Sequence, residues 1–151
     1  MKLQVEQSIQ ASAKDVWGVI TDIENSANFI SGIEEVKILD HPTEGLVGLK
    51  WHETRTLFGQ TATEIMWVTE AVENEYYKVH PESHGAIYLT NFFITENNGK
   101  STLKMEFSGE PQTFGAKVMS ALTGFMFKKA TKDALIKDLD DIKAAVENSV
   151  E

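Results

Sequence analysis

The feature that most constrains this chain is its last third, where residues 113–147 read as a single long helix. Pro111 and Gly115 punctuate the approach, and no proline follows. Leu135, Leu139, Ile142 and Val146 step by four, three and four, which is one face of a 3.6-residue repeat. Lys132, Lys137, Asp138, Asp141 and Lys143 fall mainly off that stripe. Asp133 and Asp138 sit near lysines and read as a solvated face. The first half differs: Val118, Met119, Ala121, Leu122, Phe125, Met126 and Phe127 go most of the way round with little polar relief. Gly124 inside it costs about 1 kcal/mol against alanine, which marks close packing or a bend. At about 1.5 Å per residue the helix is roughly 50 Å long. A helix of that length, apolar over half its course, requires a broad covering surface.

The preceding strands are the candidate cover. Residues 2–10 alternate, with Leu3, Val5 and Ile9 on one face. Ser12, with Asp15 three residues on, reads as the start of a helix whose buried stripe is Val16, Ile20 and Ile23, flanked by Trp17. A second short helix is expected over residues 24–30, with Gly32 as its C-terminal stop. Six strands follow, at 34–39, 49–58, 61–71, 76–80, 86–96 and 101–108. The turn Asn97-Asn98-Gly99-Lys100 joins the last two. Strands in a run with helices segregated from them define an α+β layer arrangement rather than alternating βαβ units. One antiparallel sheet must curl to cover the long helix, and a curled sheet leaves space between the two.

Composition excludes several functions. The 151 residues suit one domain, here taken as 1–151, and 42% hydrophobic with 25% charged residues is ordinary for a soluble globular protein. A net charge of −9 argues against nucleic acid or an anionic membrane as partner. No cysteine is present, so disulfides and thiolate metal sites are excluded. His80 and His84 are four apart, but Pro81 and Gly85 make their segment a turn, so helical zinc spacing does not apply; His41 and His52 read as exposed. No metal or other cofactor is expected. Gly-x-Ser-x-Gly and phosphate-loop motifs are absent. Residues 1–7 lack the apolar block of a signal peptide, and no run reaches the length of a membrane span. A cytoplasmic monomer or homodimer without membrane insertion is expected.

The strand Leu49-Trp51-Glu53-Arg55-Leu57 places a charged pair in the middle of an otherwise apolar face, while Lys50, His52, Thr54 and Thr56 form a polar one. If the first face is inward, neither charge can be buried alone, so a partner, a ligand or an altered pKa is required. Glu53 fits a general acid or base, and Arg55 a group that orients a ligand carboxylate or enolate. Ion pairs with neighbouring strands' charges near the rim are the plainer reading of both. Met66, Trp67, Tyr88, Asn91 and Phe92 are further inward candidates, for a ligand or for plain core packing. Residues 86–95 are apolar in both phases, so their faces are not assigned.

Ser12-Ala13-Lys14-Asp15-Val16-Trp17 with Ile30-Ser31-Gly32-Ile33, then Trp51-His52-Glu53-Thr54-Arg55, then Leu139-Asp140-Asp141-Ile142-Lys143, together with the element order, resemble the START-related, birch-pollen-allergen-like (SRPBCC) superfamily. More locally they resemble its bacterial polyketide cyclase/dehydrase branch. The resemblance implies a helix-grip fold: a curved seven-stranded antiparallel sheet wrapped around the C-terminal helix, with two short helices after the first strand. It implies a cavity for a small hydrophobic molecule, lipid-, polyketide- or aromatic-like. The expected lining is Trp51, Met66, Tyr88, Asn91, Phe92, Met105, Phe107, Leu122, Phe125 and Met126. Members of the superfamily include carriers, enzymes and a co-chaperone branch, and the fold does not choose among them. A polyketide-cyclase-like or dehydratase-like enzyme using Glu53 and Arg55, and a protein-interaction module with a filled core, stand as alternatives to ligand binding.

Overall fold

Every non-terminal strand pairs antiparallel with its neighbours in a seven-stranded sheet of order β1-β7-β6-β5-β4-β3-β2, seen in a computed structural model. The structure describes residues 2–57, 60–82, 86–111 and 114–149, without the side chains of 57, 60, 62, 82, 86–88, 109–111 and 114–128. β1 (Lys2–Ile9) buries Leu3, Val5 and Ile9 and lies along β7 (Lys100–Pro111), from Lys2 opposite Ser108 to Ile9 opposite Ser101. Between them come α1 (Ala13–Ile20), a short 3-10 helix (Ile23–Asn28), and the meander of β2 (Ile33–Asp40), β3 (Lys50–Leu57), β4 (Gln60–Val72), β5 (Tyr76–Glu82) and β6 (Ala86–Asn97). The chain closes with α2 (Phe114–Ser149).

Local chemistry sets these boundaries. The Ser12 hydroxyl accepts from the Asp15 amide and caps α1, whose buried residues are Val16 and Ile20. After α1, the Asn25 amide donates to the Asp22 carboxylate and the Ser26 hydroxyl to the Ile23 carbonyl. Such short side-chain bonds compete with an α-helix, and the expected second helix is a 3-10 turn. Gly32 is not in the left-handed region that a glycine helix stop uses. Its lack of a side chain serves a close approach described below. At the β6–β7 turn Asn98 (φ 54°) and Gly99 (φ 80°) are both left-handed, as a two-residue primed hairpin turn requires.

Register shifts in β2 and between Val68 and Glu70 of β4 add twist to the sheet. The curl brings its concave face over the C-terminal half of α2, where Leu135, Leu139, Ile142 and Val146 are all buried. Lys143 donates to the Ser8 carbonyl and Glu147 accepts from the Gln10 amide, tying the end of α2 to the end of β1. No helix among the described residues is long and apolar enough to cross a membrane.

Leu139 is 1% exposed at the centre of this contact. Leu139→Ala is expected to lower unfolding free energy by about 2–4 kcal/mol, read as a shifted denaturant midpoint with unchanged slope.

Candidate functional site

A cavity of about 530 Å³ lies between the concave face of the sheet and α2. Period-two alternation selects its lining from each strand: Ile33 from β2; Trp51, Glu53 and Arg55 from β3; Glu64 and Met66 from β4; Tyr77, Val79 and Pro81 from β5; Thr90 and Phe92 from β6; Met105 and Phe107 from β7. Trp51 faces Met66, Phe92 faces Met105 and Thr90 faces Phe107 across adjacent strands. α1 and the turn after it add Ile20, Ile23, Ser26, Phe29 and Ile30. From α2 come Thr131, Ala134, Leu135, Asp138 and Ile142, one helical face.

One ionic cluster interrupts this surface. Arg55 Nε donates to Glu53 Oε2 at 2.8 Å. Its Nη1 and Nη2 donate to Asp138 Oδ1 and Oδ2 at 3.3 and 2.8 Å, a bidentate pair that joins β3 to α2. The second oxygen of Glu53 accepts from the Trp51 indole N–H at 3.2 Å. A Cβ on Gly32 would lie 3.3 Å from Arg55 Nη1 and 3.7 Å from Asp138 Oδ1, so glycine lets the backbone close against the pair. Burial alone disfavours the Arg55 cation, but Glu53 and then Asp138 more than offset it and hold its pKa above the ordinary value. Burial pushes the Asp138 carboxyl up, against the opposing pull of Arg55.

The other polar groups of the lining are mostly spent within the protein. The Tyr77 hydroxyl donates to the Ile20 carbonyl at the end of α1, and burial, then Glu53, pushes its pKa up so that it stays a donor. Ser26 is bonded to Ile23. Thr131 is a buried exception. It is 5% exposed, and its hydroxyl has no hydrogen-bond partner among the described residues.

Glu53 and Arg55 share the face with Trp51, as their spacing predicts, and Met66, Phe92, Met105 and Phe107 line the cavity with them. Asn91, expected in the lining, is not there: it alternates with Thr90 and Phe92, which are. Trp67 likewise alternates with Met66 and stacks on His80 instead, with 4.7 Å between ring centroids. The side chains of Tyr88, Leu122, Phe125 and Met126 lie outside the described residues, as does His84. Asp138, read as part of a solvated face, is 3% exposed and paired with Arg55. The helix repeat could have found it, since it follows Leu135 by three and precedes Ile142 by four. Asp133 does lie on an exposed face, beside Lys129. Among the described residues no cluster of three or more His, Asp or Glu is placed to hold a metal ion.

A curled seven-stranded sheet gripping a C-terminal helix around a cavity is the helix-grip architecture of the START/SRPBCC superfamily. The chain belongs to the polyketide cyclase/dehydrase and lipid transport family, whose model matches residues 1–147. Similar solved structures include TTHA0849 from Thermus thermophilus, 12% identical with a TM-score of 0.86 and full coverage of both chains. The Zhui aromatase/cyclase from Streptomyces sp. R1128 is 13% identical with a TM-score of 0.86, covering 100% of this chain and 96% of that one. A START superfamily protein from Mycobacterium smegmatis is 17% identical with a TM-score of 0.81, covering 97% of both. At these identities the likeness is one of fold. No curated protein matches the sequence.

Two substitutions probe the site's energetics. Arg55→Met leaves two buried carboxylates without their cation and is expected to cost about 3 kcal/mol at pH 7, the low end for a broken buried pair because Arg55 remains 29% exposed. A carboxyl with a raised folded pKa binds protons more tightly folded than unfolded, so its contribution is present at low pH and is lost as pH rises through the folded value. The Arg55→Met deficit should therefore shrink as pH falls from 7 toward the ordinary Asp range, as followed by urea titrations at each pH. Thr131→Val removes a hydroxyl that has no described partner and is expected to change stability by 0 to about +1 kcal/mol in the same assay.

Proposed function

We propose that the protein binds a small, largely apolar molecule in the cavity between its sheet and α2. The cavity's size carries this reading. Protein interiors pack like organic crystals and tolerate few voids larger than a water molecule. An apolar space of about 530 Å³ forfeits the dispersion contacts that filling it would give, and falls in the size class of small-molecule sites. A protein-interaction module with a filled core is a poorer match to such a space. The family description, with its lipid transport and polyketide chemistry, supports a lipid-, polyketide- or aromatic-like ligand. Met66 and Met105, flexible and polarisable, suit a wall that adjusts to ligand shape.

A second reading is catalysis, favoured by one observation: a buried carboxyl, Asp138, whose pKa is pushed up, beside Glu53 and Arg55 on the cavity wall. Such a carboxyl suits a general acid, with Glu53 as the base and Arg55 holding the pair in place. If Glu53→Gln and Asp138→Asn both leave dehydrative cyclisation of a poly-β-ketone substrate at the wild-type rate, this reading is dead.

Native mass spectrometry of the purified protein, compared with its denatured mass, tests the binding reading. The expected result is an adduct that is lost on denaturation, or saturable uptake of an added apolar fluorophore. A bare polypeptide that also takes up no such fluorophore would sink it. Met66→Trp, which places a larger ring in the lining, is expected to weaken fluorophore binding at least about tenfold at a stability cost under about 3 kcal/mol.

A further inference from the structure

The positive charge in the lining is already committed to the protein itself, as are the indole, phenol and Ser26 donors, whereas carboxylate acceptor capacity remains. From this we infer that the cavity selects a ligand bearing a hydrogen-bond donor, neutral or cationic, and discriminates against one bearing a free carboxylate. This rests on the binding reading and names the ligand class within it.

Arg55 is the one cationic side chain among the described lining residues, against three acidic ones, Glu53, Glu64 and Asp138. Three of its five N–H groups are engaged by Glu53 and Asp138. The guanidinium is therefore balanced before any ligand arrives. Should Asp138 hold a proton, Glu53 still balances it. An arriving carboxylate would lose its hydration, meet no free cation and lie near like charges. The indole of Trp51, the phenol of Tyr77 and the hydroxyl of Ser26 are each spent on an internal acceptor.

The acceptor side is different. Each carboxylate oxygen of Glu53 and Asp138 takes one hydrogen bond in the cluster, and a carboxylate oxygen has capacity for two. An alcohol, phenol or ammonium group can use that capacity without displacing Arg55. The hydroxyl of Thr131, with no described partner, serves either role but brings no charge.

A matched fluorescent series separates these possibilities: 1-pyrenemethanol, 1-pyrenemethylamine and 1-pyrenecarboxylic acid share one apolar body and differ in the polar group. Titrations at pH 7.5 and 150 mM salt, where the general field of a chain with net charge −9 is largely screened, should give Kd values for the alcohol and the amine about tenfold or more below that of the acid. Asp138→Asn releases the bidentate partner of Arg55 and should narrow the acid's disadvantage at least about threefold. Glu53→Gln is the second variant, expected to act in the same direction if Asp138→Asn does not fold. An acid that binds wild type as tightly as the alcohol overturns this inference and leaves the binding reading standing. A preference unchanged in every folded variant also overturns it, since the cluster is then not its cause. If none of the three binds and the native mass is bare, the binding reading fails and this inference falls with it.

Discussion

The bond between Arg55 and Asp138 is the joint on which this structure depends. Among the described residues it is the charged contact that crosses from sheet to helix within the cavity wall, and its two-pronged geometry fixes both the distance and the orientation of β3 against α2. Glu53 completes it from the same strand, two residues away, and the Trp51 indole holds Glu53 from the other side. Each partner is thus positioned by another whose own place is set by regular structure. Gly32 belongs to the same joint, because a Cβ there would crowd the guanidinium.

Sheet curl and helix docking divide the remaining work. Alternation on seven strands turns one face inward, and bulges in β2 and β4 add the twist that lets the sheet close over a helix. Leu135, Leu139, Ile142 and Val146 anchor the helix by apolar burial, while Lys143 and Glu147 tie its end to β1 and the turn after it. Asp141 accepts from the amide and the hydroxyl of Ser31, which fastens the turn before β2 to the same helix. The helix is thus held at its side by packing and near the cavity by ions and hydrogen bonds. The space between these anchors is where the cavity lies.

Much of this was legible in the sequence because period-two and period-3.6 patterns are strong where one face is buried. The stripe of α2, the alternation of β1 and the placing of Glu53 and Arg55 beside Trp51 all come from that rule. It fails where both faces of a strand are apolar. β6 is such a strand: Phe92 lines the cavity while Phe93, next to it, packs on Tyr76 at 5.8 Å on the other side. Hydropathy cannot separate an aromatic that lines a cavity from one that covers the outside of a sheet, and Trp67 was misplaced for this reason; Asn91 was misplaced because β6, apolar in both phases, does not mark which phase points inward. Asp138 was missed for another. A carboxylate on a helix with lysines nearby looks solvated unless its cation, 83 residues earlier, is known to face it. Gly32 looked like a helix stop because glycine's two uses, left-handed backbone and close approach, leave the same letter in the sequence.

A charged trio is a poor way to hold a helix to a sheet if holding were all it did. Replacing a buried ion cluster with apolar side chains of similar volume is often neutral or stabilising, because desolvation consumes most of the Coulombic gain. The stripe of α2 shows that this chain has apolar packing available on the same helix face, with Leu135 and Ile142 flanking Asp138. What the trio adds is a charged patch that apolar packing cannot supply, inside a wall that is otherwise mostly apolar. On the binding reading it would give an apolar ligand an orientation, since a group able to meet those carboxylate oxygens would be favoured there. If the proposed selectivity holds, the same bonds that fix α2 against β3 also set which molecules the space between them prefers, and a change at Arg55, Glu53 or Asp138 should alter both together.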